Sequence, residues 1–164
     1  MGFHEDAVAA AEAARVAKIE AAKEAAEAQE RAIEATTQLL AQEREMQAAT
    51  AQALVDDWLA AIDVDPSAVK TVIVSNPNRR RESISPGWGH DSFSVYHRAR
   101  TTLAWSIEGY KFQAEIIHAD QPGNRPAQVQ VSMSIGSSWR VVGSKAEVGE
   151  AIIEAENLRK GQPS

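Results

Sequence analysis

The sequence predicts an α+β protein: a long N-terminal Ala/Glu-rich helix of coiled-coil type, an antiparallel β-meander of about four to six strands, and a C-terminal helix packed on the apolar sheet face. Three observations lead there. Residues 5–62 contain neither Gly nor Pro, and 21 of the 30 alanines fall in residues 1–61. Residues 93–142 alternate apolar and polar side chains in runs broken by turn chemistry, the period-two signature of half-buried strands. A final amphipathic run opens at Ser144 with a Ser-x-x-Glu capping pattern.

Composition divides the chain into an arm, 1–63, and an α+β body, 64–164. The arm holds 13 Asp/Glu against 5 Lys/Arg, a net of -8; residues 64–143 hold 6 against 9, a net of +3; the remainder holds 4 against 3, which together give the overall -6. An acidic arm is thus joined to a mildly basic body.

The arm is rich in Ala, Glu, Gln and Arg, which lose little side-chain entropy in a helix. Unbroken, it would extend about 80 Å at 1.5 Å per residue, too long to pack wholly on a small body. A seven-residue repeat supplies a partner seam instead. Ala11, Ala25, Ala32, Leu39, Met46 and Ala53 share one heptad position, and Ala14, Ala21, Ala28, Ala35 and Ala49 share the position three residues later. Ile19, Ala26, Ile33, Leu40 and Leu54 widen the seam, while Lys18, Gln42 and Asp56 interrupt it. The competing explanation is that alanine is simply the best helix former. Near its end the arm carries larger side chains, Leu54, Val55, Trp58, Leu59 and Ile62, at helical spacing. That stripe is expected to dock on the sheet, with Trp58 in the core.

In the body, Lys70–Ser75 is a β-branched run and the expected first strand. From Phe93 the odd positions through Ile107 form one face, as one bent strand or two joined near 98–101. Glu108-Gly109 is a two-residue turn, and Tyr110, Phe112, Ala114, Ile116 and His118 return on the same apolar face. After Pro122–Pro126, residues 127–135 alternate without a fault, and Gly136–Ser138 turns the chain into Trp139–Val142. The last helix is expected over 144–160, with Val148, Ile152, Ala155 and Leu158 facing the core and Gly161 stopping it.

The composition excludes several chemistries. Without cysteine there is no disulfide, thiol catalysis or thiolate metal site. No stretch approaches the roughly 20 apolar residues of a membrane span, and Met1–Asp6 lacks the pattern of a signal peptide, so a cytoplasmic protein is expected. There is no Gly-x-Ser-x-Gly elbow, and Pro86-Gly-Trp-Gly89 lacks the Lys-Ser/Thr of a phosphate loop. His118 is expected opposite Ala99 and diagonal to His97 on the inward face, where the two could share a metal or a proton with Asp91 or Asp120 nearby as a third group. Zinc wants three or four ligands, which this pair does not supply. No cofactor is expected.

Residues 76–91 read as a long connection carrying Arg79, Arg80, Arg81 and Trp88. With Arg98 and Arg100 from the polar sheet face, and Arg125 or Arg140 beside them, they form the candidate binding surface. The alternative is a solvated turn. A net of +3 is far below the basic footprint of most nucleic-acid binders. The leading expectation is therefore a non-enzymatic assembly or interaction protein, of the layout found in virion and other large-complex components. Its arm would self-associate or bind a protein partner. A nucleic-acid-associated regulator using Arg79–Arg81 is the alternative, and an acid-base or metal enzyme at His97/His118 the third reading. No membrane partner is expected.

Overall fold

The computed structural model describes residues 2–77, 80–84, 93–120 and 125–161, with backbone only at 80–84 and 93–96. The α+β class is borne out. Helix α1 spans Phe3–Ala61; seven strands follow, β1 (Val72–Ser75), β2 (Arg80–Ile84), β3 (Phe93–His97), β4 (Arg100–Ile107), β5 (Tyr110–Ile117), β6 (Gln128–Ile135) and β7 (Ser138–Val141); helix α2 is Lys145–Arg159. The chain divides into two compact units, Met1–Gln42 and Glu43–Ser164.

In the first unit α1 is solvent-exposed at every residue from Phe3 to Gln42. The Thr36 and Thr37 hydroxyls donate back to the carbonyls of Ala32 and Ile33, 2.8 and 2.9 Å away, as threonines do in helix interiors.

The second unit is built on a five-stranded antiparallel sheet, order β1-β4-β5-β6-β7, with β2 and β3 in a separate two-stranded ladder. Segment 76–91 is thus not all connection. Arg80–Ile84 pairs residue for residue with Phe93–His97, from Arg80↔His97 to Ile84↔Phe93. Arg-Arg-Glu-Ser-Ile has too few apolar residues to show a strand period, so the ladder comes from backbone pairing. The two ladders follow one another along the same two chain segments, since Ser75 pairs with Thr102 shortly before Arg80 pairs with His97. The long alternating run breaks at Arg98-Ala99, between β3 and β4.

Pairing within the main sheet follows the predicted register. Ile107 faces Tyr110 across a turn in which Glu108 and Gly109 both have positive φ, 52° and 87°. These angles are those of a type I′ turn, whose twist matches the flanking strands. The inward side chains Leu103, Trp105, Phe112, Ala114, Ile116, Val131, Met133 and Ile135 are all buried. Trp105 and Phe112 stack at 5.8 Å with planes 5° apart.

Two helical segments cover this face. Ala51, Val55 and Leu59 from α1, and Val148, Ala151 and Ala155 from α2, join one core with the sheet. Trp58 packs against that core only partly buried, its ring 5.9 Å from Trp105 and 6.1 Å from Phe112. Leu59, with no exposed surface, holds the central place expected of Trp58. Leu158, predicted to face the core, is 48% exposed.

The helix ends are fixed by recognisable motifs. At the end of α1, Asp63 adopts φ 62°, while Val64 N–H bonds Leu59 O at 2.9 Å and Asp63 N–H bonds Ala60 O at 3.0 Å. That is a Schellman closure with aspartate in the place usually taken by glycine. Asp65 then caps a single 3-10 turn, Pro66–Ala68. At α2 the Ser144 hydroxyl accepts the Glu147 N–H at 3.3 Å, while the Glu147 carboxylate accepts from Gly143 N–H, one residue earlier than the usual reciprocal box.

Two outcomes follow. Leu59→Ala should cost about 2–5 kcal/mol, the range for emptying a fully buried leucine site, and more than Trp58→Phe, measured by denaturant unfolding. Glu108→Asn should stabilise the fold by about 1 kcal/mol, since asparagine tolerates left-handed φ, and raise the melting temperature; a lower one would show that the glutamate makes a contact outweighing its strain.

Candidate functional site

Of the residues the sequence singles out, Arg79 and Trp88 lie outside the described residues, as do the side chains of Arg80 and Arg81, whose backbone belongs to β2. The other arginines are engaged internally. Arg98 donates from Nε and Nη2 to His118 O, at 2.9 and 2.6 Å, and from Nη2 to Pro126 O. Arg100 pairs with Glu115 at 2.9 Å, Arg125 with Asp120, and Arg140 with Glu150 and Glu154, both at 2.9 Å.

The structure separates the two histidines in kind. His97 is exposed on β3, whereas His118 is buried just after β5, its N–H bonded to Ala99 O at 2.9 Å. Around His118 runs a relay whose members are distant in sequence. Asn76 Nδ2 donates to Arg44 O at 3.0 Å, which leaves Oδ1 to accept the Thr101 hydroxyl at 2.7 Å. Having given its proton to Asn76, the Thr101 oxygen, fully buried and 2.7 Å from His118 Nε2, can only accept. The imidazole proton therefore sits on Nε2. Burial, reinforced by the Arg98 charge and opposed by Glu43, holds His118 below its ordinary value of 6.5.

This arrangement fixes a neutral histidine in one tautomer. Among the described residues no group of three or more His, Asp or Glu side chains is placed to hold a metal ion. Thr101 spends its hydroxyl proton on Asn76, whose other contact is a backbone carbonyl, so the relay ends in main chain.

Two surfaces remain. One is the open face of the sheet, where Val72, Ala104, Gln113, Ser132 and Val141 form one row across all five strands. On it a shallow depression is lined by Gln113, Glu115, Gln130, Ser132 and Trp139, and the Trp139 residue is 51% exposed. The other is the helix of the first unit, where Ile19 and Ile33 are each 60% exposed, Leu39 66% and Leu40 44%. Sequence alternation locates the open face but does not mark Trp139 as its exposed aromatic. The signal was present, since Trp139 shares the parity of Val141 across from Ser132 and Ser134.

No protein-family model, curated protein or solved structure matches this chain. No helix among the described residues is long and apolar enough to cross a membrane.

The His118 environment predicts a pH dependence of stability. Its folded value lies below 6.5, so between the two values the unfolded chain binds more protons. Stability is full above about 6.5 and falls as pH drops through the window below it. Melting temperatures from pH 7.5 to 5 should therefore fall more steeply for the wild type than for His118→Gln; parallel profiles would place the titration elsewhere.

Proposed function

We propose that this protein is a non-enzymatic assembly or interaction component, in which the helical arm self-associates as a coiled coil and the α+β body presents the open sheet face to a partner. The observation that carries this reading is the exposure of Ile19, Ile33, Leu39 and Leu40 on two adjacent heptad positions of an otherwise Ala/Glu/Gln-rich helix. A solvated helix gains nothing from large aliphatic side chains at such spacing. A second helix against them would bury each for about 1–2 kcal/mol, with the intervening alanines allowing close approach.

On the body, Trp139 supplies an aromatic anchor among Gln and Ser side chains able to hydrogen-bond a partner. The regulator reading rests on Arg79–Arg81, whose side chains lie outside the described residues, and the arginines that would extend that surface, Arg98, Arg100, Arg125 and Arg140, are each committed to a carbonyl or carboxylate. The enzyme reading at His97/His118 has the least, because the described contacts of His118 Nε2 lead into main chain.

Association of acidic arms has a salt signature: net -8 over residues 1–63 makes them repel, and salt screens that repulsion beyond about 8–10 Å. Sedimentation velocity should show an oligomer that tightens from low to moderate salt. Ile33→Glu with Leu40→Glu should return it to monomer with the melting transition of the body unchanged. A monomer at all salt concentrations would remove self-association.

A further inference from the structure

The end of α1, the β4–β5 hairpin and the start of α2 enclose a half-open cavity of about 330 Å3. Its walls are Ile62, Val64, Ile107, Phe112, Val148 and Ile152. Tyr110 forms a fixed side wall, its hydroxyl bonded to Glu156 at 3.0 Å and its ring covered by the Arg159 guanidinium at 5.4 Å. The volume falls within the roughly 300–1,000 Å3 of small-ligand sites, which are likewise mostly apolar with a few polar groups.

Gly149 also lines this cavity, and nothing in the fold requires a glycine there. It lies inside α2, where glycine is less favourable than alanine. Its φ is not positive, and a Cβ at this position would meet no atom within 4 Å. Gly136 and Gly143 differ, since a Cβ there would touch the Leu158 side chain at 3.6 Å and the Glu147 carboxylate at 3.4 Å. The missing side chain at 149 therefore leaves space open on this wall of the cavity, at the expense of helix propensity.

The rim is polar and asymmetric. Lys145 stands on the helix side and Glu108 on the hairpin side. The Lys145 ammonium is paired with Asp63 at 2.7 Å, but both side chains are largely exposed, 66% and 76%, so an incoming anion can exchange for Asp63 with a small net gain, and most of the affinity has to come from the apolar walls. Glu108 repels the same anion from the other rim, which leaves one orientation.

We propose that this cavity binds a small hydrophobic acid, an alkyl or aryl molecule whose apolar body lies against Gly149 and Ile152 and whose single anionic group meets Lys145. Every residue lining the site belongs to the second unit.

Titration of the full chain with 1-anilinonaphthalene-8-sulfonate, an aryl apolar body with one anion, tests it by fluorescence. One saturable site displaced by decanoate is expected. Gly149→Leu should weaken the dye by at least about tenfold without lowering the melting temperature, and Lys145→Glu should weaken it by about threefold. The Ile33→Glu/Leu40→Glu arm variant should bind as the wild type does. Absence of saturable binding, unchanged affinity in Gly149→Leu, or loss of binding in the arm variant would overturn the proposal. Should Gly149→Leu fail to fold, Gly149→Ala and Lys145→Glu decide in the same way, since alanine favours the helix while narrowing the cavity.

Discussion

The body depends on covering one face of one sheet. Strands β4, β5 and β6 present a continuous apolar surface centred on Phe112, Ala114 and Met133, each 2% exposed or less. At about 25 cal/mol per Å2 of apolar area removed from water, that surface is the main source of stability and must be covered by something. The cover is made largely of small side chains, Ala51 from α1 and Ala151 and Ala155 from α2, with Val55, Leu59 and Val148 filling between. Alanines let the helix axes approach the strands closely. Two hydrogen-bonding groups are sacrificed to this packing, for Trp58 Nε1 and Trp105 Nε1 are buried and meet no partner among the described residues. Each such donor costs about 1–3 kcal/mol. Aromatic contacts among Trp58, Trp105 and Phe112 at 5.8–6.1 Å offset part of that cost.

That constraint explains which parts of the fold were legible in the sequence. A half-buried sheet forces period-two alternation, so β4, β5 and β6 and the turn at Glu108-Gly109 could be read directly. The Ser144 cap was legible because its partner lies three residues away. Strand β2 was not, since Arg80–Ile84 has no alternation to report and its pairing depends on residues 93–97. The closure at Asp63 was hidden because an aspartate stands where sequence reasoning looks for glycine. Leu59 and Trp58 could not be ranked from periodicity, because both lie within the broad apolar stripe and only the packing shows which points straight at the sheet.

The candidate sites were less legible for a related reason: their members are far apart in the chain. His118 meets Thr101 across 17 positions, Thr101 meets Asn76 across 25, and Asn76 meets Arg44 across 32. The hairpin register brought His118 opposite Ala99, and the sequence foresaw that much. What it could not show is that strand β3 leaves the main sheet, so that His97 is exposed while His118 is buried. Gly149 was equally silent, because a glycine inside a helix acquires meaning only once the space beside it is known.

Charge layout narrows what the body can recognise. Read from the sequence, residues 64–143 carry a surplus of basic groups, which suggests an electrostatic surface. In the folded unit, Arg98 holds the carbonyls of His118 and Pro126, and Arg125, Arg100 and Arg140 face Asp120, Glu115 and the pair Glu150 and Glu154. A guanidinium committed in this way must give up a partner before it can take a phosphate, and that exchange offsets much of the gain. On the proposed reading, a partner of the open sheet face would be held by shape and hydrogen bonding, through Gln113, Gln130, Ser132 and Trp139, more than by long-range attraction. A partner chosen by such a face is one that fits closely and satisfies the amide and hydroxyl groups it covers, because each one left unpaired on burial would cost more than a screened surface charge returns.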